Sequence, residues 1–382
     1  MININKVKPI SFKARIIDSH THLGNWEQLC HGRDSLDVFV NTNLDNGDVI
    51  EKMLVSNLDC IARENISDEL VGNKKLLTLI EGNRKYVPLA VCQPNITCGD
   101  ISKIEQLFGE CPHRFVGLKF HPKYMELPAD SFAYDNYLRL AEKYNLPCLF
   151  HSDKTFDVDY GFGNIDKRCE FSRPEQIYTL AKRHKKVPVI LGHMGGNSGQ
   201  NCKSAVDIIV DSIEKSTANL YADISWVNAE TAEKPDIIEA IKRLKNTRKG
   251  DKTDRLLFGT DAPLGRFCRA ENNLTPQQAY QKVVNDIKNA IKQNFPQQEA
   301  DELIDKIFYK NADTLFFSPR KSKVSFINKN KPLLFVAVAI AAISTILGGV
   351  IVKNKNSNDS IQQILVKPSK VFQDFKNTIH KI

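Results

Sequence analysis

The nine cysteines of the chain include no C-x-x-C pair. Their odd number and scattered placement exclude a disulfide framework and a zinc ribbon, and unpaired thiols fit a reducing compartment. Cys92 and Cys148 sit inside apolar, strand-like runs and read as core residues. Met1–Ala14 lacks the continuous apolar stretch of a secretory signal, so none is expected. There is no internal repeat and no low-complexity tract. A charge excess is also missing where a nucleic-acid surface would need one. The formal net charge is +8, but residues 319–382 hold eleven Lys/Arg against two Asp/Glu, and the first 318 residues hold 42 basic and 43 acidic side chains. The main domain is neutral, so no nucleic-acid partner is expected.

What remains is ordinary in bulk. Hydrophobic content of 42% and charged content of 26% match a soluble globular core. The length suits two average domains or one large α/β barrel. One segment departs from this pattern: Leu333–Val352 runs twenty residues without a charge, the span of a bilayer core. A buried core helix is the alternative. However, Arg320, Lys321, Lys323, Lys329 and Lys331 precede the segment, and Lys353 and Lys355 follow it. Such basic collars lead us to expect a single transmembrane helix, and the missing signal peptide and unpaired cysteines lead us to expect the preceding domain on the cytoplasmic side. Ala337, Ala341, Thr345 and Gly349 recur every four residues, a spacing at which two such helices approach closely, so a homodimer is also expected.

Between Arg15 and Ser318, short apolar runs alternate with longer helical patterns, the signature of parallel strands with crossover helices. The runs are Ile16–His22, Val49–Ser56, Tyr86–Cys92, Phe115–His121, Pro147–Ser152, Val187–His193, Leu220–Trp226 and Arg255–Asp261. Helical stretches such as DNYLRLAEKYNL and PEQIYTLAKRHKK lie between them, with Pro174 placed to open a helix. Eight strands in this alternation predict a (β/α)8 TIM barrel followed by a single C-terminal transmembrane helix. Asp153–Arg173 has no clear element and is expected to form a lid over the barrel mouth.

The strand ends carry the chemistry. The first ends in His20-Thr-His22, and residues two apart on a strand share a face, so both imidazoles project together and Asp18 with them. The fourth ends in Lys119-Phe-His121-Pro, the fifth in His151-Ser, the sixth in Gly-His193-Met-Gly-Gly and the eighth in Gly-Thr-Asp261-Ala-Pro. Any one of these histidines alone reads as a satisfied core or surface residue. In a barrel, however, all the carboxyl ends open on the face where active sites are built.

In HTH at 20–22, GLKFHP at 117–122, LPCLFHS at 146–152, ILGHMGG at 190–196 and LLFGTDAP at 256–263, the sequence resembles the amidohydrolase superfamily. The likeness is to its amidohydrolase-related branch, which contains decarboxylases, and KIFYKNADTLF at 306–316 is similar to the closing helix of that branch. It covers residues 15–318 and does not extend to the remainder. The resemblance implies that His20, His22, His151 and Asp261 hold a divalent metal. His193 is then either a second-metal ligand or a catalytic group. Lys119 is either carboxylated and bridging two metals or unmodified beside one, and the single-metal form is favoured. Zinc is the leading ion, with Mn, Fe or Co suited to the same donors. Three imidazoles and a carboxylate leave a position open, as catalytic zinc requires, and zinc lowers the pKa of its water towards about 7. In that scheme Asp261 relays the proton and His193 stabilises the developing oxyanion. Asp18 either orients a ligand or serves a purely structural role.

Three functions follow as expectations. The leading one is a membrane-anchored, metal-dependent hydrolase acting on a C–N or C–O bond of a small polar substrate. The second is non-oxidative decarboxylation of a small carboxylic acid, for which Arg168 and Arg173 near the lid are candidate substrate-binding cations. The third is a catalytically degenerate barrel that binds a ligand or protein. The expected organisation is an N-terminal extension (1–14), the metal-dependent hydrolase barrel (15–318), a basic linker (319–332), the membrane helix (333–352) and a basic amphipathic tail (353–382).

Overall fold

A computed structural model describes residues 13–24, 34–40, 44, 47–61, 68–94, 101–153, 167–196, 199–225, 236–264 and 274–318. The chain divides into two compact units, Met1–Lys323 and Val324–Ile382, and every described residue lies in the first. Eight strands follow one another in sequence order in a single parallel sheet: β1 (Arg15–Leu23), β2 (Val49–Asn57), β3 (Tyr86–Cys92), β4 (Gly117–Phe120), β5 (Cys148–Phe150), β6 (Val189–Leu191), β7 (Leu220–Asp223) and β8 (Leu256–Leu257). The sheet curls back on itself beyond β8. Thr21 pairs in parallel with Ala262, and the N–H groups of Ser19 and His22 donate to the carbonyls of Phe258 (3.0 Å) and Ala262 (2.8 Å). This is the TIM barrel that the strand count predicts.

Helices cover the outside of the sheet, and their ends follow local chemistry. Thr275 and Gln278 cap the helix Pro276–Asn294 reciprocally, with the proline at the position where a missing N–H is harmless. Pro174 opens Pro174–Arg183 in the same way, and Asn145 in the left-handed conformation ends Asp135–Tyr144. Outward strand residues such as Phe120 and Phe150 pack with the helices in the larger core. A second cluster fills the barrel: Ile17, Leu54, Leu89, Leu149, Ile190 and Leu257 meet Tyr309, Ala312 and Leu315 of the C-terminal helical run, which includes the predicted closing segment.

Two expectations require correction. Strict alternation on β1 would put Asp18 on the face of His20 and His22. The pairing with β2 instead shifts register between Asp18 and Thr21, where three steps on β1 match two on β2. Such a bulge re-aims the side chains that follow it. The Asp18 carboxylate turns to the Thr260 N–H (3.0 Å), the Thr260 hydroxyl (2.6 Å) and the Tyr280 hydroxyl (3.1 Å). The second correction concerns membrane localisation. Among the described residues, no helix is long and apolar enough to cross a membrane. Pro276–Asn294 is long enough at 19 residues, but it is amphipathic, burying Val284 and Ile287 while Lys282 pairs with Asp286 at its surface. The expected span 333–352, its small-residue stripe and the amphipathic tail lie outside the described residues, as do residues 154–166 of the expected lid.

Candidate active site

The strand ends converge at the carboxyl-terminal mouth of the barrel. Gly192 and Gly259 allow the close approach: a Cβ on Gly192 would meet the Phe150 carbonyl at 2.7 Å, and one on Gly259 would lie 3.1 Å from the His20 Cβ. Asp261 sits just beyond β8 in the left-handed region, at φ 65°, and its N–H donates to the His20 carbonyl (2.8 Å). His193 follows β6 at φ 57°. Left-handed conformations at two non-glycine residues are strained, and here both bear site side chains.

Each imidazole is oriented by a second group. His20 Nδ1 contacts the Asp223 carboxylate at 3.0 Å, which turns its Nε2 towards Asp261 Oδ1 at 3.2 Å. His22 Nδ1 meets the Ser56 hydroxyl at 2.7 Å, and its Nε2 meets the same Asp261 oxygen at 2.8 Å. His193 Nδ1 meets the Ser225 hydroxyl at 2.9 Å, and its Nε2 lies 3.1 Å from His151 Nδ1. Asp223 also accepts from the His193 N–H (3.1 Å) and from the Ser225 hydroxyl, so one carboxylate at the end of β7 organises two of the histidines. Lys119 is fully buried, with its Nζ 2.7 Å from His20 Nε2.

Electrostatics suit this donor set to a cation. Burial, with Lys119 next, drives the His20 imidazole well below its ordinary pKa; burial likewise lowers His22 and His151. Neutral imidazoles are the metal-binding form. Burial alone would raise the Asp261 carboxyl, but His193, His20 and His22 outweigh it and hold it well below the usual carboxylate range. Lys119 is lowered to about 8 by burial, with Asp261 and Asp223 opposing the shift. Asp18 is raised to about 7 by burial, despite its hydrogen bonds from Thr260, His20 and Tyr280.

The residues fit a divalent metal by three further observations. His20, His193 and Asp261 each offer a ligand atom, and these atoms lie within 4.8 Å of one another. Two imidazoles sharing one ion, each with metal–nitrogen distances of about 2.0–2.1 Å, have ring centres roughly 5 Å apart. The observed separations are 5.1 Å for His20–His22, 4.8 Å for His20–His193 and 4.9 Å for His151–His193. The Nε2 of His151 is buried without a hydrogen-bond partner.

All six residues expected from the resemblance therefore meet at the mouth. The two arginines stand differently. Arg168 lies on the turn Lys167–Ser172, and its side chain is outside the described residues. Arg173 pairs with the exposed Glu170 at 3.1 Å. Sequence reasoning gave no role to Asp223, Ser225, Ser56 or His121. Asp223 and Ser56 stand at the ends of β7 and β2, so the strand-end rule that found the histidines could have found them. His121 lies within a quoted motif.

The family model described as Amidohydrolase matches residues 110–317. No curated protein matches the chain. Among solved structures, an amidohydrolase of Burkholderia multivorans with bound zinc aligns with TM-score 0.51 at 12% identity, covering 80% of this chain and 100% of that one. A 5-carboxyvanillate decarboxylase of Novosphingobium aromaticivorans, complexed with manganese and a nitrobenzoic acid, aligns with TM-score 0.48 at 12% identity over 81% and 99%. A probable 2-pyrone-4,6-dicarboxylic acid hydrolase of Acinetobacter baumannii with bound citric acid gives 0.47 at 14% over 79% and 98%. At such identities the shared feature is the fold. With its matched half-chain, its eight-stranded barrel and the histidines gathered at the mouth, the chain belongs to the amidohydrolase family.

Proposed function

We propose that the protein is a metal-dependent hydrolase that cleaves a C–N or C–O bond of a small polar substrate. The observation that carries this reading is the convergence of buried imidazoles on Asp261, with the ligand atoms of His20, His193 and Asp261 within 4.8 Å of one another. His20, His22, His151 and Asp261, with His193 beside them, would hold one divalent ion, zinc or manganese suiting these donors. Such an ion supplies Lewis acidity and makes water a nucleophile at neutral pH.

The side chains account for the rest. Asp261 takes a proton at a carboxylate oxygen and returns it to the leaving group. His193 donates through Nε2 to the substrate oxygen on which charge develops. Asp223 and Ser56 fix the rings of His20 and His22, so little reorganisation is needed. Lys119, unmodified, places its ammonium beside His20.

Non-oxidative decarboxylation is the second reading, and one observation favours it. Lys123 is buried just beyond β4, and a decarboxylase needs a cation to hold the substrate carboxylate. Metal analysis of the purified protein, followed by turnover of lactones, amides and aromatic acids, tests both. Acid release supports hydrolysis and carbon dioxide release supports the alternative. A protein that loads no transition metal and turns over none of these compounds would end the metal-dependent reading.

A further inference from the structure

The conformation of Asp261 has no local cause. Glu126 and Asn145 also adopt the left-handed region, but each ends a helix, where that conformation is common. Asp261 follows a strand and sits at φ 65°. An aspartate stays in such a conformation only where its surroundings hold it there. The surroundings here are a set of hydrogen bonds that leads back to Asp18.

Asp18 is fully buried, and its four partners are neutral donors. Its Oδ1 accepts from the N–H groups of Thr260 at 3.0 Å and His20 at 3.3 Å. Its Oδ2 accepts from the hydroxyls of Thr260 at 2.6 Å and Tyr280, on the helix Pro276–Asn294, at 3.1 Å. The Thr260 hydroxyl, having donated its proton to Asp18, accepts in turn from the Ala262 N–H at 3.1 Å. The N–H groups on both sides of Asp261 are therefore tied to one carboxylate, Thr260 directly and Ala262 through a single hydroxyl. With the Asp261 N–H donating to the His20 carbonyl, three consecutive N–H groups are fixed. None of these bonds is to an imidazole ring, which separates Asp18 from Asp223 and Ser56. A buried carboxylate is costly without partners, and this one finds half of its partners on Thr260, next to Asp261.

We infer that Asp18 and Thr260 are positioning residues for Asp261: together they hold the turn after β8 so that the Asp261 carboxylate faces His20 and His22. The inference rests on the metal-site reading above and adds to it the device that keeps the carboxylate ligand in place. Without this clasp the Asp261 backbone relaxes towards negative φ, and its carboxylate turns away from the imidazoles.

The test uses the full-length protein and zinc alone. Zinc affinity is measured by chelator competition, and backbone hydrogen exchange over residues 258–264 is followed in the metal-free protein. Thr260→Val keeps the branched shape but removes the hydroxyl, and should weaken zinc binding about 10- to 100-fold. Asp18→Asn, which turns one acceptor into a donor, should fall in the same range. Thr260→Ser restores the hydroxyl and should bind zinc as wild type does. In an Asp261→Ala background, Thr260→Val should cause no further loss, because the group it positions is gone. A role in fold stability alone would lower the melting temperature of Thr260→Val and leave zinc affinity at the wild-type value, which would overturn the inference. An equal loss with and without the Asp261 carboxylate would also overturn it, by showing that Thr260 acts through another group. In the metal-free protein, Thr260→Val should speed exchange of the segment by about tenfold or more. Unchanged exchange would overturn the clasp whether or not zinc binds. A wild-type protein that loads no zinc, with exchange responding as expected, would count against the metal reading and support the clasp.

Discussion

The two ends of the barrel are built by the same strands, yet they differ in almost every physical respect. At the closed end, Ile17, Leu54, Leu89, Ile190 and Leu257 pack against Tyr309, Ala312 and Leu315 in an apolar plug. At the mouth, a few residues further along the same strands, the buried groups are His20, His22, Lys119, His121, His193, Asp223 and Asp261. On β5 the change takes two residues, from Leu149 to His151. Burying polar groups is costly unless they are paired, and at the mouth the pairing is incomplete: both nitrogens of His121 and one of His151 lack partners. The plug holds the fold together, and the mouth gives up stability to keep ligand positions.

The largest effect that would break this division is at the mouth. Asp261→Asn should lower kcat on an identified substrate by about a hundred- to ten-thousand-fold while most of the metal stays bound, because the amide cannot accept the proton. Stopped turnover with intact metal content by mass spectrometry is the expected result. Retention of near wild-type activity would remove Asp261 from proton transfer.

At the opposite end the consequence should be purely one of stability. Leu54→Ala, fully buried in the plug cluster, should cost about 2–5 kcal/mol in chemical denaturation and leave kcat unchanged. A matching loss of activity in the folded variant would show that the two ends are coupled.

A carboxylate outside the barrel serves as a reference for the cost of burial. Glu69 is raised from its ordinary 4.5 to about 7, chiefly by burial, with the Gln93 N–H and the Tyr137 hydroxyl opposing. Between those values the native state keeps a proton that the unfolded chain has lost. Stability from this group therefore falls as pH rises from 4.5 to about 7, by about 3 kcal/mol at most, and is level above. Glu69→Gln should flatten that slope in denaturation curves measured across the same window. An unchanged slope would show that Glu69 ionises normally.

The smallest predicted effect sharpens the picture of the mouth. Asp223→Asn keeps the shape but removes the charge behind His20 and His193, and should weaken metal affinity by about 10- to 100-fold. Competition with a chelator of known affinity measures it directly. Unaltered affinity would mean that the ring orientation is set by the backbone alone.

Much of this organisation was legible in the chain. All eight strands appear in the predicted order, with boundaries that differ at the later strands because the last residues of each run peel away from the sheet to form the mouth. His193 is an example: the run Val187–His193 pairs only over Val189–Leu191, and the histidine then turns out in a left-handed conformation that alternation cannot anticipate. Asp18 was misplaced for a related reason, since a bulge depends on the partner strand and leaves no local mark. The link between Asp223 and His20 joins residues 203 apart, and no spacing within the chain announces it.

The sequence by itself determined the barrel and the identity of the mouth, because period-two apolar runs dictate strands and a parallel sheet puts every carboxyl end on one face. Only the tertiary structure decided which polar groups are paired and which are left open. Pairing depends on distances between strand ends that are remote in sequence, and burial, which makes an unpaired nitrogen significant, exists only after the chain has folded.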